Sequence, residues 1–567
     1  MRILFLCHSF NSLTQRLFVE LQAAGHEVSV EFDVNDEVTT EAVTLFQPDL
    51  VLAPFLKRAI PETVWRHNVC LVVHPGIVGD RGPSALDWAM LNGESRWGVT
   101  VLQANAEMDA GDIWASVEFP MRDATKASIY RNEVTEAAVA AVLMALERFG
   151  QEGYAPTPLD YKSPAVQGQL RPLVKQTDRA INWSRDDTST VLRKIRSADG
   201  FPGVKDRLKG RDLFLYDAHP EPSLRGEPGE LVGVSGPAVC RATIDGAVWI
   251  GHLRDPAGEH PFKLPAVKLL SDEIAGLPVI EPTGNSGYRE TWYCEQNGVG
   301  YLHFPFYNGA MSSEQCDRLR ATYCEARERN TRVIVLMGGE DFWSNGMHLN
   351  RIEAAESAAD ESWKNINAID DLAKEIINTS SHITVSAVAG NAGAGGVFLA
   401  RAADRVWLRS GVILNPHYKD MGNLYGSEYW SYLMPRYAGE DHALRISQGR
   451  LPMGSSEAVD LGLADARFAD HQASFNREVE ERAERLAASA ELERMLLEKS
   501  QRRDADEAVK PLEQYRAEEL EKMHLNFYGF DPSYHVARYN FVYKIPKSRT
   551  PLTIAKHRRV SKLRNAS

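Results

Sequence analysis

Cysteine is scarce: the 567 residues hold six, Cys7, Cys70, Cys240, Cys294, Cys316 and Cys324, and no two form a C-x-x-C pair. That scatter excludes a disulfide framework and a thiolate zinc site, and fits reduced thiols in a cytoplasmic protein. Long apolar runs are absent too. No stretch approaches the ~18 uninterrupted apolar residues of a membrane span. The apolar opening from Met1 to Phe10 gives way at once to polar residues, which reads as a first strand rather than a signal segment. Positive charge is in deficit. A formal net charge of -13 disfavours a nucleic-acid partner. The exception is the tail from Lys544 to Arg564, which carries eight basic residues and no acid.

At this length the chain has room for about three domains. Apolar runs at Arg2–Leu6, Val28–Phe32, Asp49–Ala53 and Cys70–Val73 alternate with helical spacing, as at Thr14–Ala24. Alternation of this kind predicts an α/β fold with a doubly wound parallel sheet and ligands at the carboxyl ends of its strands. A helix over Ser128–Phe149 closes this unit, and the Gly/Pro-rich stretch from Gly153 to Pro164 reads as a linker. Asp187-Thr188 can cap a helix. Four short runs between Asp212 and Ile250 then predict a small, OB-like β-barrel. After a junction at Pro278–Asn297, strands recur at Val299–Phe304, Arg332–Leu336 and Ile383–Val388, with helices over Ser313–Arg329 and Ser362–Ser380. Residues 473–523 read as charged helices without a heptad seam, and no oligomeric state is assigned. The expected domains are 1–165, 166–280, 285–470 and 471–567.

Two sets of residues carry chemistry. The first is a strand ending in His74, followed by Gly79-Asp80-Arg81-Gly82-Pro83-Ser84 and by Met108-Asp109-Ala110-Gly111-Asp112. Acyl transfer from an amide-like donor needs a group to polarise the carbonyl and a carboxylate to move protons. His74 and Asp109 meet that need if the loop 104–112 folds over the strand end. Taken singly, each also fits a structural histidine or a turn. Together, with Gly98-Val99-Thr100, Ile181-Asn182-Trp183-Ser184 and Gly200-Phe201-Pro202-Gly203, the first ~280 residues resemble the folate-dependent formyltransferases. The resemblance implies His74 and Asp109 as catalytic residues, Arg81, Ser84 and Asp112 in cofactor binding, and 10-formyltetrahydrofolate as donor. One departure stands out: the family's asparagine two residues before the histidine is Val72 here. A thiol acceptor, more nucleophilic near neutral pH than an alcohol, tolerates weaker assistance.

The second set is Gly338-Gly339-Glu340-Asp341-Phe342-Trp343-Ser344-Asn345-Gly346-Met347 with Ala389-Gly390-Asn391-Ala392-Gly393-Ala394-Gly395-Gly396. Two backbone N–H groups aimed at one oxygen make an oxyanion hole, and glycine lets backbone approach a ligand closely. Either motif alone also fits an ordinary strand-to-helix turn. In this order they resemble the crotonase (enoyl-CoA hydratase/isomerase) superfamily over residues 298–470. The resemblance implies Met347 and Gly395 as the oxyanion donors. The family's two catalytic glutamate positions fall on Phe398 and Tyr418, so hydratase chemistry is not expected. Tyr418 and Glu428, within an acid-base-rich segment from Asn415 to Tyr429, are the candidate catalytic pair.

Formyltransferase, small β domain and crotonase in this order resemble the HypX/HoxX family of hydrogenase maturation factors. That resemblance implies formyl transfer to coenzyme A, then release of carbon monoxide from formyl-CoA as a ligand for NiFe hydrogenase. A formyl thioester has no α-carbon, so enolate chemistry is closed to it. Loss of its formyl hydrogen as a proton, with departure of thiolate, remains. Arg549, Arg558 and Arg559 in the basic tail are candidates to pair with coenzyme A phosphates. No metal is expected. The alternatives are a formyltransferase for an amine or tRNA fused to an unrelated acyl-CoA domain, and a non-catalytic assembly scaffold.

Overall fold

The computed structural model describes residues 1–164, 166–284 and 286–559. The chain divides into two compact units: Met1–Tyr288 with the segment from Lys547 onward, and Arg289–Pro546. The tail from Lys547 to Arg559 therefore belongs with the first unit and not with the charged helices before it.

The first sheet of unit 1 comprises β1 (Arg2–Cys7), β2 (Glu27–Phe32), β3 (Leu50–Phe55), β4 (Cys70–His74), β5 (Arg96–Gln103) and β6 (Ile113–Pro120), in the order β2-β1-β3-β4-β5-β6. The first four run parallel, as their β-branched and leucine-rich runs predict. β5 and β6 are antiparallel, so the sheet is mixed rather than wholly parallel. Residues 104–112 are the hairpin loop between them. Helices Ser12–Ala23 and Asp36–Phe46 start on Asn11 and Asn35, whose side chains accept the backbone N–H groups of Thr14 and Val38. Both faces of the sheet carry apolar clusters, with Leu17, Phe18, Val99 and Val142 on one side and Phe46, Val51 and Val64 on the other. The expected helix over 128–149 is a single helical run from Lys126 with one π-helical turn at Tyr130–Val134.

β7 (Val204–Leu208), β8 (Arg211–Glu221), β9 (Leu231–Ser235), β10 (Ala238–Ala242), β11 (Ala247–Arg254) and β12 (Leu264–Pro265) form a second, antiparallel sheet. Its order is β7-β8-β11-β10-β9, with β12 on β11, and no pairing among the described residues closes β9 on β7. The anticipated barrel is thus an open curl. Asp187 caps the helix Thr188–Ala198 through Thr190 N–H, and the apolar face of that helix packs on the sheet.

Unit 2 holds β13 (Trp292–Gln296), β14 (Val299–His303), β15 (Val333–Gly338), β16 (Phe342–Ser344), β17 (Ile383–Val388), β18 (Asn391–Gly393), β19 (Arg405–Arg409), β20 (Ile413–Asn415), β21 (Met453–Gly454) and β22 (Ala466–Phe468). β13-β14-β15-β17-β19-β22 make one sheet, parallel from β14 on, and β16-β18-β20-β21 make a smaller one. The smaller sheet consists of the strand extensions that carry the two glycine-rich turns. Helices Ser313–Arg327 and Ala358–Ile377 cover the apolar side, and helices Gln472–Ala487, Leu492–Val509, Leu512–Tyr528 and Ser533–Val542 complete the unit. No helix among the described residues is long and apolar enough to cross a membrane. Cys7, Cys70, Cys240 and Cys316 are buried, Cys324 is half-buried and Cys294 exposed, all as free thiols.

Candidate functional sites

In unit 1, His74 ends β4 at the carboxyl edge of the sheet and is 4% exposed. Its Nε2 lies 3.1 Å from Asp80 Oδ2. A carboxylate only accepts, so Nε2 carries its proton toward Asp80. Nδ1 faces Asp109, 3.6 Å from Oδ2. The loop 104–112 does fold over the strand end, and Asp109 holds a left-handed backbone (φ 55°) that aspartate tolerates. The two carboxylates differ in access: the Asp80 side chain is sealed, while that of Asp109 keeps 12% of its surface open. Asp109 Oδ2 also accepts Gly82 N–H at 3.2 Å. A β-carbon on Gly76 would stand 2.5 Å from His74 Nε2 and 2.8 Å from Asp80 Oδ2, so only glycine leaves room for this pair. Val72 lies on the same face of β4 as His74, two residues back, and offers no hydrogen bond.

Arg81 spans to the same loop, donating to Glu107 at 2.6 Å and to the Met108 carbonyl at 3.2 Å. Ser84 is buried and accepts Val174 N–H at 3.2 Å. Asp112 is exposed, and its carbonyl accepts Gln103 N–H at the base of the hairpin. The chain after the helix returns to this loop: Tyr161 of the linker donates to the Gly79 carbonyl at 3.0 Å, and Leu170, beyond the linker, bridges to Arg81. Asp80 lies in the Gly79–Ser84 stretch without being a candidate from sequence, although a carboxylate six residues after the histidine was the available signal.

The tail residues sit elsewhere in unit 1. Ile554 O accepts Val30 N–H at the free edge of β2, and Thr550 Oγ1 accepts Phe32 N–H. Glu31, 1% exposed, receives Thr550, His557 and Arg558, and Arg558 also reaches Glu41 at 2.9 Å. Those donors hold the Glu31 carboxyl below its usual range against the opposing effect of burial, which is the largest single influence on it. Arg558 is thus engaged by two carboxylates. Arg559 donates to the carbonyls of Leu552 and Thr553, and Arg549 is exposed. Lys562 and Arg564 lie outside the described residues.

In unit 2, the turns after β16 and β18 meet. A β-carbon on Gly346 would come 3.3 Å from Gly395 N, and one on Gly396 would come 2.2 Å from Ser344 O. Met347 follows Gly346, which has a positive φ of 70°. Gly395 is the first residue of the helix Gly395–Arg401. The two amides named from sequence are thus on adjoining turns, one of them at a helix start, where partial positive charge gathers. Phe398 and Tyr418, the two positions where crotonases place glutamate, stack with ring centres 5.3 Å apart.

The carboxylate of this site comes from Glu428. A β-carbon on Gly395 would be 2.0 Å from Glu428 Oε1, so the carboxyl lies directly over the turn. The Tyr418 hydroxyl donates to Glu428 Oε2 and stands 3.2 Å from the Ser427 carbonyl. Both side chains are buried. Burial pushes Glu428 up to about 8, the nearby Asp370 charge adds to the rise, and the Tyr418 hydrogen bond opposes it. Burial, with the Glu428 charge beside it, pushes the Tyr418 phenol well above its ordinary value, so it is a neutral donor. Asp370 Oδ1 accepts Glu428 N–H at 2.9 Å, and Glu519 Oε2 accepts Tyr429 N–H at 3.0 Å. Sequence analysis missed these two acids. The signal was present: each falls on the buried stripe of its helix, beside Ile366, Ile369 and Ala373 or beside Leu520 and Met523.

Known proteins match both halves. The formyl transferase model matches residues 15–146, its C-terminal domain model 173–261, and the enoyl-CoA hydratase/isomerase model 295–528. Over 558 residues the chain is 57% identical to the hydrogenase maturation factor HoxX of Bradyrhizobium diazoefficiens, covering 98% of this chain and 97% of that one. The chain belongs to the HoxX/HypX family of hydrogenase maturation factors. The crystal structure of HypX from Aquifex aeolicus in complex with tetrahydrofolic acid superposes with a TM-score of 0.95 at 49% identity, over 98% of this chain and 99% of that one. The methionyl-tRNA formyltransferase of Syntrophus aciditrophicus is 27% identical over 221 residues, 38% of this chain and 69% of its own. Within the HoxX/HypX family, then, a formyltransferase half and a crotonase half occur as one polypeptide.

Proposed function

We propose that this HoxX/HypX protein makes carbon monoxide in two steps for hydrogenase maturation. In unit 1, 10-formyltetrahydrofolate gives its formyl group to the thiol of coenzyme A. His74 Nδ1, the ring nitrogen opposite the one bonded to Asp80, takes the thiol proton. The sulfur attacks the formyl carbon, the C–N bond to folate breaks, and the imidazolium returns the proton to the leaving nitrogen. Asp109, the less enclosed of the two carboxylates, steadies the imidazolium. The tetrahydrofolic acid bound by the Aquifex protein supports folate as carrier. An acceptor that is already a good nucleophile suits a site with Val72 in place of a hydrogen-bonding side chain.

In unit 2, formyl-CoA loses CO. The amides of Met347 and Gly395 hold the carbonyl oxygen while Glu428 carboxylate takes the formyl hydrogen as a proton. The C–S bond breaks with its electron pair on sulfur, and CO departs. Tyr418 protonates the thiolate and recovers its proton from Glu428 through their hydrogen bond. The products are CO and coenzyme A, and the two side chains end as they began. The observation that carries this step is the Glu428 carboxyl lying on the Gly395 turn with Tyr418 bonded to it. Neither crotonase glutamate position holds an acid, which argues against hydration.

The test uses paired variants with synthetic formyl-CoA and with the complete substrate pair. His74→Ala abolishes formyl-CoA formation and leaves CO release from supplied formyl-CoA intact. Glu428→Gln has the opposite pattern. Loss of both activities in either variant, or undiminished CO from Glu428→Gln, rejects the assignment.

A further inference from the structure

Glu428 occupies an unusual stretch of backbone. Glu428 and Tyr429 both have φ of 59°, a left-handed conformation that side chains other than glycine, asparagine and aspartate seldom adopt once, let alone twice in succession. Successive N–H groups in such a turn converge and form an anion-binding concavity. Here the anions are the protein's own. Asp370, from helix Ala358–Ile377, accepts Glu428 N–H at 2.9 Å and Ser427 Oγ at 2.8 Å. Glu519, from helix Leu512–Tyr528, accepts Tyr429 N–H at 3.0 Å, Ser431 N–H at 2.8 Å and Ser431 Oγ at 2.5 Å. Both acids are at most 1% exposed.

We propose that Asp370 and Glu519 are positioning residues for Glu428: they clamp residues 427–431 in the turn that aims its carboxyl at Gly395 and Tyr418, and Asp370 sets negative charge behind it. This inference rests on the reading of Glu428 as the base that takes the formyl proton.

The charge balance behind Glu428 supports a role beyond bracing. Three buried carboxyls are gathered here, and the cation beside them is mostly engaged elsewhere. Arg516 Nε is 3.9 Å from Asp370, while its Nη atoms reach Asp371 at 2.6 Å and Asn367 at 3.0 Å. Ser427 Oγ lies 2.8 Å from Asp370 and 3.3 Å from Glu519, and its one proton cannot serve both as carboxylates. Three carboxyls gathered this closely out of water raise one another's proton affinity. Glu519 is pushed up to about 8, by burial first and by Asp370 second, and Asp370 is raised by its own burial. The Tyr418 and Tyr429 phenols and the Cys316 thiol, also beside these carboxyls, are kept neutral by burial. Like charge behind Glu428 makes it a stronger base toward a reluctant C–H proton.

The experiment follows the carboxyl C=O infrared band that Glu428→Gln removes, through a pH titration of the full-length protein, alongside kcat and KM for CO release from formyl-CoA. In Asp370→Asn the turn keeps its acceptor and loses the charge. Its band titrates about one pH unit lower than in the parent, and the acid limb of kcat moves the same way. Asp370→Ala loses the acceptor as well, and kcat falls at least about tenfold at unchanged KM, with Asp370→Asn restoring most of it at high pH. An Asp370→Asn band that titrates as in the parent, or an Asp370→Ala enzyme with parental kcat, overturns the proposal. If Asp370→Ala does not fold, the Asp370→Asn titration decides. If Glu428→Gln keeps its CO output, the reading of Glu428 as base falls instead, and the infrared titration still reports whether Asp370 governs it.

Discussion

Replacing Gly395 by alanine tests the geometry of the second site with a single methyl group. The added carbon would stand 2.0 Å from Glu428 Oε1 and 2.5 Å from Cδ. Ordinary contact begins near 3.4 Å, so the carboxyl must retreat by more than 1 Å. It has little freedom to do so. Its backbone N–H is bonded to Asp370 and its other oxygen to Tyr418. Displacement by about 1 Å at a reacting group costs on the order of a hundredfold in rate, or about 2.7 kcal/mol in the barrier. Overpacking a filled site costs about 1–3 kcal/mol of stability, within what a domain of this size survives. Gly395→Ala should therefore fold, form formyl-CoA at the parental rate, and release CO from supplied formyl-CoA about a hundredfold more slowly. The assay is CO captured by reduced haem, with folate release followed in parallel. A Gly395→Ala protein with parental CO output refutes the placement of Glu428 at the reacting carbon.

Three further outcomes follow from the same geometry. CO release should rise with pH along a limb centred near 8, because Glu428 works as a carboxylate and its burial raises its proton affinity; a profile flat from about pH 6 to about pH 9 contradicts this. Tyr418→Phe removes a hydrogen bond that favours the Glu428 anion, so kcat should drop by about 10²-fold and the limb should move to higher pH; an unmoved limb counts against the pair. His557→Ala takes from the buried Glu31 one of its donors, at a cost of about 1–3 kcal/mol in urea or thermal unfolding of unit 1; an unchanged midpoint contradicts the tail's role as a strap. The pH dependence of that strap has a definite sign. Glu31 is held below its unfolded value, so its contribution is present above the unfolded carboxylate range and fades as acid protonates it.

Much of the fold was legible locally. Alternating apolar runs placed β1 to β4, Asp187 marked a helix start, and the strand ending in His74 put that residue at the carboxyl edge of the sheet. Strand direction was not legible. The residues of β5 say that it is buried but not which way it runs, and the antiparallel turn of the sheet at β4 is decided by tertiary pairing. Closure of the second sheet failed for a related reason: short strands and turns specify a curl, while joining β9 to β7 depends on register across the whole sheet. Among the candidate site residues, His74 and Asp109, and Tyr418 and Glu428, could be paired because each lies in a short, distinctive stretch of sequence, and the fold does bring each pair together. Asp370 and Glu519 come from helices 58 and 91 residues away from Glu428 along the chain and were not sought. A charged residue on a buried stripe was their mark, as Ser29 and Glu31 within an apolar strand were the mark of the tail that covers them. The basic composition of the tail pointed outward to phosphates, whereas Arg558 turned out to face Glu31 and Glu41.

The central claim is that one carbon passes from folate to sulfur and leaves as CO. Its most direct measurement supplies the protein with 10-formyltetrahydrofolate labelled at the formyl carbon, with and without coenzyme A, and collects gas on reduced haem. The account predicts labelled CO in amounts matching the tetrahydrofolate formed, and none when coenzyme A is omitted. Unlabelled gas, or labelled CO that appears equally without coenzyme A, would contradict it.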